Sequence, residues 1–185
     1  MSEITITGAQ VGRKAPGFLM KTTADIKTLK STATLDDFQG KWLVLYFYPL
    51  DFSAVCPTEL IALSDRYDEF LALSAEILGV STDSVYSHRA WLSTPRKEGG
   101  IEGVRYALAA DYTKEVSKAF GIYEEKEGYA RRALFIIDPE GIVRYSVVHS
   151  SAIGGSVDET LRILSALQSG GMCPADWRPG QTTIA

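Results

Sequence analysis

The chain has 185 residues, 45 % of them hydrophobic and 23 % charged, the balance of one globular domain large enough to bury a core. A formal net charge of −4 without any basic cluster excludes the electrostatic footprint of a nucleic-acid binder. No apolar run approaches the length of a membrane span, and Met1–Gly12 lacks a basic segment followed by an apolar one; the expectation is no membrane, no secretory leader and a cytoplasmic location.

Residues 1–16 read as an extended lead-in that closes on Lys14-Ala15-Pro16. Short strands and turns follow from Phe18 to Leu35, then a helical turn or loop at Asp36–Gly40. Trp42 to Tyr48 is an unbroken apolar and aromatic run, the signature of a strand buried on both faces. Pro49 ends it and a loop leads to Cys56-Pro57-Thr58-Glu59. Proline is favoured at the first helical position, so Cys56 is the expected N-cap of a helix. Leu60, Leu63, Tyr67, Phe70 and Leu71 then recur at helical spacing.

Ala75–Ser81 is a second buried, parallel strand, and Thr82-Asp83-Ser84 caps a helix over Val85–Ser93. Thr94–Val104, with one proline and three glycines, is expected to be a surface loop. Tyr106–Ala110 gives a third strand, and Thr113–Phe120 a short helix ended by Gly121. Ala133–Asp138 and Ile142–His149, joined through Pro139-Glu140-Gly141, form a β-hairpin. Ser156–Leu167 is an amphipathic helix with Val157, Leu161, Leu164 and Leu167 on one face. The order predicts a single α/β domain over 1–185, with a central mixed β-sheet flanked by helices: a core over 1–165 and a C-terminal tail over 166–185.

The two cysteines, Cys56 and Cys173, are too far apart for a CxxC pair and too few for a zinc site. In a reducing compartment a disulfide between such residues is transient and catalytic rather than structural. A free cysteine is only about 3 % thiolate at pH 7, and about 90 % takes roughly 3.4 kcal/mol of differential stabilisation. A helix N-terminus supplies up to about 2 kcal/mol, so a reactive Cys56 needs a cation or further hydrogen bonds. The competing reading is a small buried hydrophobe. A cysteine–histidine hydrolase is the weaker idea: His88 falls on a helix, His149 at a strand end, and no hydrolase signature surrounds either.

PLDFSAVCPTEL, residues 49–60, resembles the active-site segment of the typical two-cysteine peroxiredoxins, which include the alkyl hydroperoxide reductase C proteins. Pro49, Ser53 and Cys56 match the family's Pro-x-x-x-Thr/Ser-x-x-Cys. APGF, KWLVLYFYPLDF, STDSVYSHRAWL, RALFIIDPEGIVR, SVDETLR and CPADWRPG follow in the family's order. The resemblance implies a thioredoxin-like fold and a thiol peroxidase that reduces hydrogen peroxide and organic hydroperoxides without metal, haem or flavin. It implies Cys56 as the peroxidatic cysteine, forming a sulfenic acid. Ser53 would orient the thiolate and peroxide, Pro49 would shield the site, and Arg132 would stabilise charge with Glu59 positioning it. Cys173 would be the resolving cysteine, attacking the sulfenic acid of a partner subunit. A homodimer assembling to a decamer follows, with thioredoxin or a flavoprotein disulfide reductase as electron donor.

Three features depart from the family pattern. Ser53 lacks the methyl of the usual threonine. Gly155 stands where close relatives usually carry arginine, which predicts a less activated Cys56 or a less firmly anchored Glu59. The ending at Ala185 lacks the extra helix of overoxidation-sensitive members, and Gly99-Gly100-Ile101-Glu102-Gly103 only partly resembles their glycine motif, so resistance to peroxide inactivation is expected. The alternative function is a redox-regulated chaperone or peroxide-signalling protein with weak peroxidase activity.

Overall fold

The computed structural model describes residues 8–184; the first part of the lead-in segment lies outside them. In chain order the elements are β1 (Leu19–Thr22), β2 (Thr32–Thr34), β3 (Trp42–Phe47), α1 (Cys56–Asp65), α2 (Tyr67–Ala72), β4 (Ala75–Ser81), α3 (Val85–Leu92) and β5 (Leu108–Ala110). Then come α4 (Glu115–Ala119), β6 (Tyr123–Glu124), β7 (Tyr129–Ala130), β8 (Ala133–Ile137), β9 (Val143–Val148) and α5 (Val157–Gln168). Seven strands form one sheet in the order β2-β1-β5-β4-β3-β8-β9, while β6 and β7 pair separately. The interior strand β3 runs parallel to β4 and antiparallel to β8, which makes the sheet mixed as the sequence predicts. No helix among the described residues is long and apolar enough to cross a membrane.

Strand alternation divides the continuous apolar run of β3 between two cores. Leu43, Leu45 and Phe47 join Phe18, Val116, Phe120 and Phe135 on one face. Val44 and Tyr46, with Tyr48 just beyond the strand, join Cys56, Leu60, Leu63, Phe70, Trp91, Leu161 and Leu164 on the other. Cys56 and Tyr46 therefore share the face covered by α1 and α5.

The helix after the loop starts one residue earlier than expected. Val55 takes the cap position in a helical conformation (φ −90°, ψ −37°), so Cys56 is the first helical residue. Pro57 moves inside the first turn, where its missing N–H has no intrahelical partner to lose. The apolar spacing also suggested one helix through Leu71, but Arg66 breaks it (φ −108°, ψ 16°) and leaves Leu71 exposed. The segment Thr94–Val104 is a surface loop as expected, with residues 96–99, 102 and 103 exposed, but its middle turns inward. Ile101 is fully buried, and Trp91 Nε1 donates to Gly99 O at 2.9 Å. A Cβ on Gly100 would come within 1.9 Å of Thr94 O, so this turn admits only glycine.

The third strand is shorter than expected: Tyr106 precedes it and donates its hydroxyl to Leu60 O at 2.9 Å. Two-residue strands are too short to leave a periodic signal, and the β6–β7 hairpin was not predicted. The boundary placed between core and tail at residue 166 cuts the last turn of α5, which continues to Gln168 before Gly170 turns the chain in a left-handed conformation (φ 72°). Ser156 caps that helix by accepting the Glu159 N–H at 3.2 Å.

Candidate active site

Four segments meet behind the first turn of α1. From α1 come Cys56 and, almost one turn later, Glu59; β3 supplies Tyr46; the residue before β8 is Arg132; the loop between β9 and α5 brings Ser151 and Gly155. Two adjacent arginines leave the β6–β7 hairpin with opposite fates. Arg131 faces outward and pairs with Glu124 (Nη2–Oε2 2.6 Å), whereas Arg132 is 2 % exposed. Each residue of extended chain reverses the side-chain direction, so one of any such pair must point inward.

The Arg132 guanidinium reaches the Cys56 sulfur with both terminal nitrogens, Nη1 at 3.7 Å and Nη2 at 3.6 Å. Nη1 also donates to Glu59 Oε2 and, at 3.2 Å, to the Tyr46 hydroxyl oxygen. Nη2 donates to Ser151 O at 3.0 Å. Its Nε is buried and has no hydrogen-bond partner among the described residues, which leaves a spare donor in the site. Glu59 Oε1 accepts the Gly155 N–H, a backbone anchor that does not depend on which side chain stands at 155.

Burial works against the charge on Arg132, but Tyr46, Glu59 and Cys56 around it outweigh that cost and hold its pKa above the ordinary arginine value. Tyr46 is pushed well above the usual phenol range, first by burial and then by the Glu59 charge. Tyr106 moves the same way for the same two reasons. Both phenols remain neutral, so the charged members of the site are Arg132, Glu59 and Cys56 when it is a thiolate.

The structure brings Arg132 into direct contact with both Cys56 and Glu59; among the described residues, Pro49, Ser53 and Cys173 make no hydrogen bond to these three. Pro49 is buried just beyond the end of β3. Ser53 is half-buried, and its hydroxyl donates to Leu50 O at 2.9 Å rather than to the Cys56 sulfur. Between them Phe52 is held in a left-handed conformation (φ 54°) with its ring against Trp91, 5.8 Å between centroids. Cys173 lies in the tail, its sulfur 3.8 Å from Ala166 O and 3.4 Å from Ser169 Oγ. Both thiols are free.

Sequence reasoning missed Tyr46, Ser151 and the Gly155 N–H. Alternation along β3 puts Tyr46 with Val44 and Tyr48, but nothing local says which face the helix bearing Cys56 covers. It also missed a buried cluster under the loop. His88 Nδ1 sits 2.8 Å from Asp51 Oδ2, Tyr48 donates to Asp51 Oδ1 at 2.9 Å, and His88 Nε2 faces Ala109 O at 3.2 Å. These contacts occupy both ring nitrogens of His88, so it is not a base for Cys56.

A profile of the AhpC/TSA family matches residues 11–146. The chain belongs to that family. It is 51 % identical over 175 residues to the putative peroxiredoxin YkuU of Bacillus subtilis, covering 94 % of this chain and 97 % of the relative. It is 52 % identical over 174 residues to a putative peroxiredoxin in the rubredoxin operon of Clostridium pasteurianum, covering 94 % and 98 %. Among solved structures, reduced 2-Cys peroxiredoxin from Plasmodium vivax superposes with a TM-score of 0.89 at 40 % identity, covering 94 % of this chain and 91 % of that one. This peroxiredoxin is a thiol-dependent peroxidase with the thioredoxin-like fold of its family. The chaperone and signalling alternative is not favoured.

Proposed function

We propose that Cys56 is the peroxidatic cysteine and that the contact of both Arg132 terminal nitrogens with its sulfur, at 3.6 and 3.7 Å, is what makes it one. The thiolate attacks the terminal oxygen of hydrogen peroxide or an organic hydroperoxide. A sulfur–oxygen bond forms, the oxygen–oxygen bond breaks, and the leaving oxygen takes up a proton to become water or an alcohol. Negative charge moves from sulfur onto the peroxide oxygens, beside a cation and its spare Nε donor. Glu59 positions Arg132, and Tyr46 completes its hydrogen bonding. Pro49 and the Leu50 carbonyl that holds Ser53 shape the approach; the Ser53 hydroxyl turns to the incoming peroxide once substrate arrives.

The resulting sulfenic acid is attacked by the thiol of Cys173 from a second copy of the chain, releasing water and leaving an intersubunit disulfide. Support for that step comes from Cys173, which is half-buried on a tail after the helix end and bonded only to its own neighbourhood. A homodimer is therefore the working unit, with assembly of such dimers to a decamer. An external dithiol protein, thioredoxin or a flavoprotein disulfide reductase, closes the cycle. The single domain acts in the cytoplasm.

The test is peroxide consumption coupled to thioredoxin and its reductase, for wild type, Cys56→Ser and Cys173→Ser. The reading requires turnover by wild type, none by Cys56→Ser, and a single reaction without a dimer disulfide by Cys173→Ser. Turnover by Cys56→Ser overturns it.

A further inference from the structure

The site as built holds an imbalance of charge. With Cys56 as thiolate, two anions, Cys56 and Glu59, share the one guanidinium of Arg132, and all three are buried. A buried charge without compensation is costly, so a second cation near the Glu59 carboxylate would free more of the Arg132 field for the sulfur.

The backbone at Gly154–Gly155 wraps the outer side of Glu59. A Cβ placed on Gly155 would stand 3.4 Å from Glu59 Oε1 and 3.5 Å from His149 Nε2. Carboxylate and imidazole thus flank the same vacant point, with no side chain between them. His149 follows β9 directly and is half-buried, and its backbone N–H donates to Arg132 O at 2.8 Å, which fixes its register against β8. Around it, α1 presents Glu59 and the residue before β8 presents Arg132. From the β6–β7 hairpin, Arg131, Lys126, Glu124 and Glu127 line the same surface hollow, and Glu124 is already taken by Arg131. Residues 150–156 carry no ionisable side chain, and the acidic start of α5 is engaged elsewhere, Asp158 with Arg66 and Glu159 with Arg162.

We propose that His149, in its protonated form, is the second cation of the site: a positioning residue that acts through Glu59 and sustains the reaction of Cys56 on the acidic side of neutrality. This rests on the peroxidatic role of Cys56. His149 touches neither sulfur nor peroxide. It draws charge from Glu59, and Arg132 turns correspondingly more of its own toward Cys56.

Three proteins in a Cys173→Ser background test it: otherwise wild type, His149→Gln, and His149→Gln with Gly155→Arg. Gly155 has an ordinary negative-φ backbone and room for a side chain, so the added arginine places a permanent cation at the same point. The rate of Cys56 oxidation by hydrogen peroxide and the ultraviolet absorbance of its thiolate are followed across pH. At about pH 6 His149→Gln should react about five- to tenfold more slowly, and near pH 8.5 it should match the parent. Gly155→Arg should restore the rate at about pH 6. A pH profile of His149→Gln parallel to the parent's, whether lowered throughout or unchanged, overturns the proposal. If the parent never reacts with peroxide but the thiolate absorbance still shifts with His149→Gln, the electrostatic role stands and the peroxidase reading falls instead.

Discussion

Replacing Arg132 by methionine removes the only cation among the described residues in contact with the Cys56 sulfur while keeping most of the side-chain volume. Two unit charges about 3.6 Å apart attract by about 4–5 kcal/mol at an effective dielectric constant near 20. Glu59 already draws part of that field through its own contact with Nη1, and burial of the thiolate costs some of the rest. A net loss of about 3–4 kcal/mol remains, which lowers the rate of peroxide reaction at neutral pH by about two to three orders of magnitude. The single variant also strands a buried carboxylate, so it should lose about 3–5 kcal/mol of stability to urea. Arg132→Met with Glu59→Gln removes both charges and should recover most of that stability. Its reaction rate should stay low. Stopped-flow oxidation of Cys56 beside urea unfolding of the same three proteins separates the two effects. A double variant that reacts within about threefold of wild type refutes the assignment of Arg132 as the activating cation.

Two further outcomes are expected. His88→Leu strands Asp51, whose buried carboxylate then keeps, among the described residues, the Tyr48 hydroxyl alone, with whatever solvent reaches it. It should cost about 3 kcal/mol in urea unfolding, and a loss below about 1 kcal/mol would show that Asp51 does not depend on His88. Asp138 is buried, which alone would raise its pKa; the Ile142 N–H at 2.8 Å, Arg144 and the Glu140 N–H at 3.0 Å outweigh that and hold it below the usual carboxylate range. Its contribution is therefore complete above the unfolded value of about 3.9 and disappears as pH falls through the lower folded value. Asp138→Asn should be about 1–2 kcal/mol less stable than wild type at pH 7. The gap should close on acidification below about pH 3, and a gap that widens there would contradict the sign.

What the sequence made legible follows from the length scale of each signal. The run Trp42–Tyr48 and the helix over Val157–Gln168 are long enough for their periodicity to be read directly. Cys56, Arg132 and Glu59 come from segments up to 76 positions apart, and only the family resemblance gathered them. Nothing in the adjacent Arg131 and Arg132 says which one the strand turns inward. The break at Arg66 and the inward fold of Ile101 depend on packing against distant elements, so a one-dimensional pattern passes over both. Gly155 was legible as a missing side chain. Its N–H on Glu59 was not, since backbone donors are the same at every non-proline position.

The most direct test of the account exposes the reduced protein to one equivalent of hydrogen peroxide and identifies the oxidised sulfur by mass spectrometry. A sulfenic-acid trap is present, and wild type is compared with Cys173→Ser. The account predicts a trapped sulfenic acid on Cys56 in Cys173→Ser, and in wild type a Cys56–Cys173 disulfide that joins two chains. Trapping at Cys173 with Cys56 untouched, or a disulfide closed within one chain, would contradict it.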